Sequence, residues 1–265
     1  MSLTIIEKMG VAPKAFYFHK ADQTYLHDFI ILEFISGQAW RKKKRSYTPR
    51  QIKEIAKLLA KLHHKKNPQL KPKNYFYGSY LSKGLEYINS INQQTCNQFG
   101  SELETVHNRI KQLIPKTETH RFGLIHGDVC PQNIVETGRG LRLVDWESVG
   151  LSDPAKDIAN VIIDLGLKNN DLKLFLKEYR KLRKDKGILI RAKVYAVLMR
   201  YNYFLWELVR SFEIIHKRLP KEYLNKNTVQ RHINEAKHQF KQLKEVVELP
   251  GLDLKALFNN GKNHI

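Results

Sequence analysis

Leu124–Ala159, LIHGDVCPQNIVETGRGLRLVDWESVGLSDPAKDIA, is the stretch that decides how this 265-residue chain is read. It holds His126-Gly127-Asp128, then Asn133 five residues beyond that aspartate, then Asp145 twelve residues further on. An Asp-x4-Asn pair followed by a second Asp at a strand end is the set that metal-assisted phosphoryl transfer needs. One carboxylate orients and deprotonates an acceptor hydroxyl, while an amide oxygen and another carboxylate hold Mg²⁺ on nucleotide phosphates.

The residues between them predict how the three meet. Ile134-Val135-Glu136 and Leu141-Arg142-Leu143-Val144 read as strands, and Thr137-Gly138-Arg139-Gly140 supplies two glycines for a tight turn. Folding about that turn pairs Val135 with Arg142 and Ile134 with Leu143. Asn133 and Asp145 then fall at the same open end, with Asp128 one short loop upstream. Taken singly, Asp and Asn sit at strand ends for backbone reasons; the three together at this spacing favour chemistry.

These motifs resemble those of the aminoglycoside phosphotransferase and choline kinase-like enzymes, relatives of protein kinases. The family's HGDxxxxN loop is similar to His126–Asn133, its hydrophobic-Asp-Trp-Glu segment to Val144–Glu147, and its D-P-x-x-D-[LI]-A element to Asp153–Ala159. A protein kinase would show HRD and DFG instead. More weakly, Ile31–Gly37 resembles the hinge strand between lobes, and Leu58–His63 the end of the first large helix. The resemblance implies an α+β, protein kinase-like fold, with a mainly helical large lobe and a short β-hairpin remnant of the small lobe. It implies ATP and Mg²⁺ as cofactors and a small-molecule hydroxyl as acceptor. Asp128 would be the catalytic base, with His126 and Asp157 supporting its loop. Asn133 and Asp145 would be the metal ligands, and Glu33 and Ile35 of the hinge would contact nucleotide. The helices after the metal segment build the acceptor pocket in this family. That makes Tyr201, Tyr203, Trp206, Glu207 and Arg210 candidates, because an aromatic face with a carboxylate suits a cation. Core packing is the competing role for that stripe, and Glu147 is the better acceptor candidate.

Only 32 residues precede Glu33, and Gly10 is the only glycine among them. The family's glycine-rich turn and strand lysine therefore have no counterpart, although Ser2–Met9 fits the end of the small-lobe helix. Val11–His19 and Phe29–Ile35 fit its last two strands. The expected organisation is residues 1–37 as a remnant of the nucleotide lobe and hinge, and residues 38–265 as the helical large lobe. A misplaced start codon, a trimmed chain or a degenerated gene would each produce this, and weak ATP affinity with little turnover is expected of such a chain. A non-catalytic remnant, or a binding module for an anionic partner, is the alternative.

Composition narrows the setting. The net charge of +20, from 46 Lys+Arg against 26 Asp+Glu, attracts anions generally. The sharpest cluster, Arg41–Arg45, lacks interleaved aromatics to stack on bases, so nucleic acid is an unlikely partner. No run reaches the roughly 18 apolar residues of a membrane span, and the N-terminus has no secretory pattern. Cys96 and Cys130 form neither a disulfide framework nor a metal spacing. A cytoplasmic location is expected, and the sequence leaves oligomeric state open.

Elsewhere helices are predicted. Thr48-Pro49-Arg50-Gln51 is a capping box opening a helix to about His64, where His63 and His64 read as cap and packing residues. Asn67–Gly78 reads as loop, with helices at Gly84–Asn92 and Ser101–Leu113. Asp153 caps a helix with Pro154 in its first turn. Asp171–Lys184, Ile188–His216 and Thr228–Glu248 follow, and Leu252–Ile265 reads as a tail.

Overall fold

The computed structural model describes residues 9–40, 46–65, 77–95, 100–114, 122–215, 226–245 and 247. The basic cluster at 41–45, Cys96, most of Ser2–Met9 and the tail from Leu252 lie outside them. The chain divides into two compact units, one formed by residues 1–74 and 120–193, the other by 75–119 and 194–265.

The first unit begins with the hairpin β1 (Ala15–His19) and β2 (Phe29–Leu32), paired antiparallel. The strands are shorter than the apolar pattern suggests, and large apolar side chains stand exposed on both faces, Phe16 at 66% and Phe34, just beyond β2, at 89%. Two strands alone cannot bury both faces of a ribbon. A two-residue strand, β3 (Gln38–Ala39), follows and is too short to read from sequence.

Helix α1 (Pro49–His64) opens as its sequence demands. The Thr48 hydroxyl accepts from the Gln51 amide at 3.2 Å, and Gln51 Oε1 accepts from the Thr48 amide at 3.1 Å. Gln51 also donates to Glu136 Oε2 at 2.8 Å, which ties the cap to the strand after Asn133. Ile52, Ile55, Leu59 and Leu62 fill one face, which packs on α5 (Asn169–Leu182), where Phe175 and Tyr179 are fully buried. Each such side chain contributes about 1.5–3 kcal/mol through burial.

The rest of the unit holds the motif block. β4 (Gly123–Ile125) pairs antiparallel with β7 (Gly150–Ser152), a short ladder not anticipated from sequence. β5 (Ile134–Thr137) pairs with β6 (Gly140–Leu143) in the expected register, Ile134 opposite Leu143 and Val135 opposite Arg142, and β3 adds to the outer side of β5. The turn is the two residues Gly138-Arg139, closed by the Thr137 hydroxyl, which accepts from the Arg139 amide and donates to the Gly140 carbonyl. α4 (Ala155–Ile163) starts one residue after Pro154, with Asp153 Oδ1 accepting from the Ala155 amide at 2.9 Å. Asp153 also pairs with Arg191, whose other side holds Asp185 at 2.7 Å.

Helix α6 (Ile188–Ile215) begins in the first unit and continues through the second. The second unit adds α2 (Tyr77–Thr95), α3 (Gly100–Leu113) and α7 (Lys226–Lys244). α2 starts seven residues before the expected Gly84 and absorbs Gly78 from the expected loop. Packing overrides the two glycines: Tyr77 is buried edge-on against Tyr195, with centroids 4.7 Å apart. A Cβ on Gly84 would come within 2.6 Å of the Tyr201 ring. On α6, Leu198, Tyr201, Leu205, Leu208, Phe212 and Ile215 are buried at helical spacing, while Val194 and Val197 are only half-buried. No helix among the described residues is long and apolar enough to cross a membrane.

The capping box generates a graded expectation. Thr48→Ala should lower stability by about 1 kcal/mol. Gln51→Ala should cost more, because it also removes the bond to Glu136. Urea titrations of both variants check this, and an equal loss would contradict the link through Glu136.

Candidate active site

Strand β4, which leads into His126–Asp128, is set by close backbone approach. A Cβ on Gly123 would lie 2.5 Å from the His63 carbonyl oxygen, and the Leu124 amide donates to the Lys65 carbonyl at 3.1 Å. The chain turns at Gly127, where φ is +89° and a Cβ would fall 2.5 Å from the Ser148 carbonyl oxygen. Glycine is required there on both counts.

Asp157 holds this turn from below. It is fully buried, and its two oxygens accept from the His126 and Gly127 amides, both at 2.8 Å, and from His63 Nε2 at 3.0 Å. Burial alone would push its carboxyl up, but the His63 hydrogen bond and the neighbouring positive groups hold it below its ordinary value. Lys156, also buried, donates from Nζ to the Gly127 carbonyl.

His126 faces Val144 and Trp146. Its Nδ1 accepts from the Asp128 amide at 3.2 Å, so Nε2 carries the proton and donates to the Val144 carbonyl at 2.9 Å. Burial lowers its pKa, in keeping with a neutral ring. The ring packs on Trp146, with centroids 4.5 Å apart.

Asn133 joins the two segments. Its Nδ2 donates to both the Asp128 carbonyl, at 3.0 Å, and Asp128 Oδ2, at 2.9 Å. Its backbone carbonyl accepts from the Val144 amide at 3.0 Å, which places Asp145 directly beyond the hairpin end. Asp145 sits at φ +61°, one of two non-glycine residues with positive φ among those described. Trp146 accounts for this turn: its indole folds back to donate to the Leu143 carbonyl at 2.7 Å and is buried, which leaves the Asp145 side chain exposed. Such a conformation costs about 1 kcal/mol or more and is maintained by its surroundings.

The donor set suits Mg²⁺. With Nδ2 committed to Asp128, the Asn133 oxygen is the atom left to ligate, beside an exposed carboxylate. Among the described residues no group of three or more His, Cys, Asp or Glu side chains is arranged to hold a metal alone. Two hard oxygens completed by water and phosphate are how Mg²⁺ is usually bound.

The other expected residues stand as follows. Glu33 lies just after β2. Its carboxylate accepts from the Lys14 amide at 3.0 Å and pairs with Arg142 at 3.1 Å; the backbone bond first, then Arg142, lowers its pKa. Ile35 is half-buried, and Glu147 is exposed. In the second unit, Glu207 accepts from His232 Nδ1 at 2.5 Å, and burial raises the pKa of its carboxyl. Trp206 lies edge-on to His232 and under the Arg210 guanidinium, 5.4 Å from the ring centroid. Tyr201 is core: it is fully buried and its hydroxyl bonds His107 Nδ1 at 2.8 Å. Cys130 is half-buried, and desolvation pushes its thiol up to about 11, so it is not a reactive thiolate. Sequence reasoning missed His63 and Lys156 as parts of this site. Neither carries a local signal, since His63 meets Asp157 across 94 positions of chain.

A profile described as "Phosphotransferase enzyme family" matches residues 2–185. Among curated relatives, thiamine kinase of Escherichia coli is 27% identical over 192 residues, covering 71% of this chain and 56% of that protein. Protein LicA of Haemophilus influenzae is 30% identical over 92 residues, covering 32% of this chain and 34% of that one. The chain thus spans about a third to about half of the length of these relatives. Among solved structures, choline kinase LicA from Streptococcus pneumoniae aligns with a TM-score of 0.57 at 18% identity, covering 89% of this chain and 78% of that one. The spectinomycin phosphotransferase APH(9)-Ia, in complex with ADP and spectinomycin, aligns at 0.58 and 16% identity, covering 97% and 80%. The fold is therefore the kinase-like fold of these structures, and the chain belongs to the phosphotransferase enzyme family.

Proposed function

We propose that this chain transfers the γ-phosphoryl group of ATP to a hydroxyl of a small molecule, with Mg²⁺. The observation that carries this is the Asn133 side chain, bonded to Asp128 on one side while its backbone is locked to Val144 on the other. On this reading it joins the base, an amide oxygen and a second carboxylate at one hairpin end.

In this reading Asp128 is the base. Asn133 fixes Oδ2, and Oδ1, which makes no hydrogen bond among the described residues, receives the acceptor hydroxyl and its proton. Asn133 Oδ1 and Asp145 would hold Mg²⁺, which when bound neutralises charge on the phosphates. The neutral His126 ties the loop to the metal segment through the Val144 carbonyl and stays out of proton transfer. Glu33 and Ile35 would offer backbone groups to the adenine, since the Glu33 carboxylate is already held by Lys14 and Arg142.

For the acceptor, Glu147 is the leading contact. Trp206 and Glu207 are further candidates whose present partners, Arg210 and His232, a cationic acceptor would displace. The similar proteins point to choline, thiamine and aminoglycosides as the first compounds to test. The second reading, a non-catalytic module for an anionic partner, is favoured by the net charge of +20.

Two measurements decide. ATP consumption across those acceptors and simple sugars should be slow but measurable, with weak affinity for ATP, and Asp128→Ala should lower kcat by about 10²- to 10⁴-fold. Activity that survives in the variant would show that the base is elsewhere, and no turnover with any acceptor would favour the binding module. Asp145→Asn should abolish the Mg²⁺ dependence of ADP binding in calorimetry while the fold is kept. Wild-type dependence in that variant would remove Asp145 from the metal site.

A further inference from the structure

Arg142 lies on β6, opposite Val135 and three residues before Asp145, and none of the proposed steps uses it. Its Nη2 donates to Glu33 Oε2 at 3.1 Å and to the Ala12 carbonyl. The same Glu33 oxygen accepts from the Lys14 amide at 3.0 Å, and the Glu33 amide donates to the Lys14 carbonyl at 2.8 Å. Beside Arg142, the Leu143 amide donates to the Val11 carbonyl at 2.7 Å. One strand thus grips two separate stretches of chain, Val11–Lys14 before β1 and Glu33 after β2.

These bonds matter because the β1–β2 hairpin buries little. Its large apolar side chains are exposed, and a two-stranded ribbon is marginal by itself. Bonds at its open end therefore carry much of its placement. The Arg142 and Glu33 side chains are only 22% and 29% exposed, so the pair is less screened than one in open solvent. The Lys14 amide first, and then Arg142, keep the Glu33 carboxylate charged by holding it below its ordinary value. Nη2 carries two N–H groups, one for the carboxylate and one for the carbonyl, in a fixed plane.

We propose that Arg142 is a positioning residue for the nucleotide: by holding the Glu33 carboxylate and the Ala12 carbonyl it sets the place of Glu33–Ile35 relative to Asp145. A nucleotide has a fixed reach from base to phosphates, so its two ends are both satisfied only when their contacts keep one separation. The effect on affinity rests on the phosphotransferase reading, in which Glu33 and Ile35 receive the adenine and Asp145 the metal; the clamp itself does not.

The test uses the full chain. Calorimetry with ADP, with and without Mg²⁺, reads the affinity, and amide hydrogen exchange by NMR without ligand reads the clamp. Arg142→Ala should weaken ADP binding by about 3- to 10-fold, the scale of one half-buried, hydrogen-bonded ion pair. The loss should be equal with and without Mg²⁺, because Asn133 and Asp145 stay in place. Arg142→Lys, which keeps the charge without the reach of Nη2, should recover part of it. Glu33→Gln should weaken ADP binding in the wild-type background and add little to Arg142→Ala, and it serves if Arg142→Ala fails to fold. Without ligand, Arg142→Ala should raise exchange at the Lys14 and Glu33 amides by about 3- to 10-fold, with Leu59 in α1 and Phe175 in α5 unmoved. With an acceptor in hand, it should raise the KM for ATP and leave kcat nearly unchanged. Wild-type ADP affinity in folded Arg142→Ala, or losses from Arg142→Ala and Glu33→Gln that simply add, would overturn the proposal. So would a rise in exchange shared by Leu59 and Phe175, or a lost Mg²⁺ effect, since both signal a damaged hairpin. If the wild-type chain binds no ADP, a selective rise at Lys14 and Glu33 upholds the clamp and overturns only the nucleotide reading, whereas unchanged exchange overturns both.

Discussion

The site depends on one carboxylate that no substrate would touch. Asp157 is buried at the start of α4 and accepts from two consecutive backbone amides. Consecutive amides converge on one side chain only where the chain turns sharply, and Gly127 provides that turn at a positive φ no other residue adopts cheaply. The alternative, two buried amides without acceptors, would cost about 1–3 kcal/mol each. The loop therefore has one low-energy path, and Asp128 is delivered at the end of it.

A second constraint meets the first from the opposite side. The β5–β6 hairpin ends where Val144 bonds Asn133, and Trp146 folds back onto Leu143. This reversal places Asp145 in the left-handed region with its carboxylate outward. His126 closes the arrangement, because its ring spans from the Asp128 amide to the Val144 carbonyl. The loop that carries Asp128 and the strand end that carries Asp145 are thus tied by a neutral imidazole and by one asparagine. Neither tie contributes a charge that would compete for phosphate.

Much of this was legible in the sequence because it is local. The hairpin register follows from two apolar runs and two glycines. The spacing of Asp128, Asn133 and Asp145 then fixes their meeting without any long-range contact. The capped start of α1 was equally plain, since Thr48 and Gln51 satisfy each other. What escaped is non-local or too short to show a period. His63 reads as a helix-end residue until Asp157 is seen against it. Strands β3, β4 and β7 have two or three residues each. Helix α2 begins before its glycines because Tyr77 finds Tyr195, a contact that spans more than a hundred positions. Glu207 was a candidate for a cationic acceptor from its aromatic helix alone, and α7 brings His232 against it from 25 positions away.

The first hairpin remains the least satisfied element. Its apolar side chains are exposed on both faces, and its internal contacts are mostly aromatic, with His19 stacked on Phe29 and edge-on to Tyr25. Glu33 and Arg142 anchor its far end to β6. The central claim concerns the open end of the β5–β6 hairpin, where Asn133 and Asp145 would share a metal held with nucleotide phosphates. Paramagnetic broadening by Mn²⁺ with ADP tests it most directly. Broadening that is strongest at the Asn133 side-chain amide and the Asp145 and Asp128 backbone amides, and that needs the nucleotide, is the result expected. Uniform broadening, or broadening centred on residues away from this hairpin end, would contradict the account.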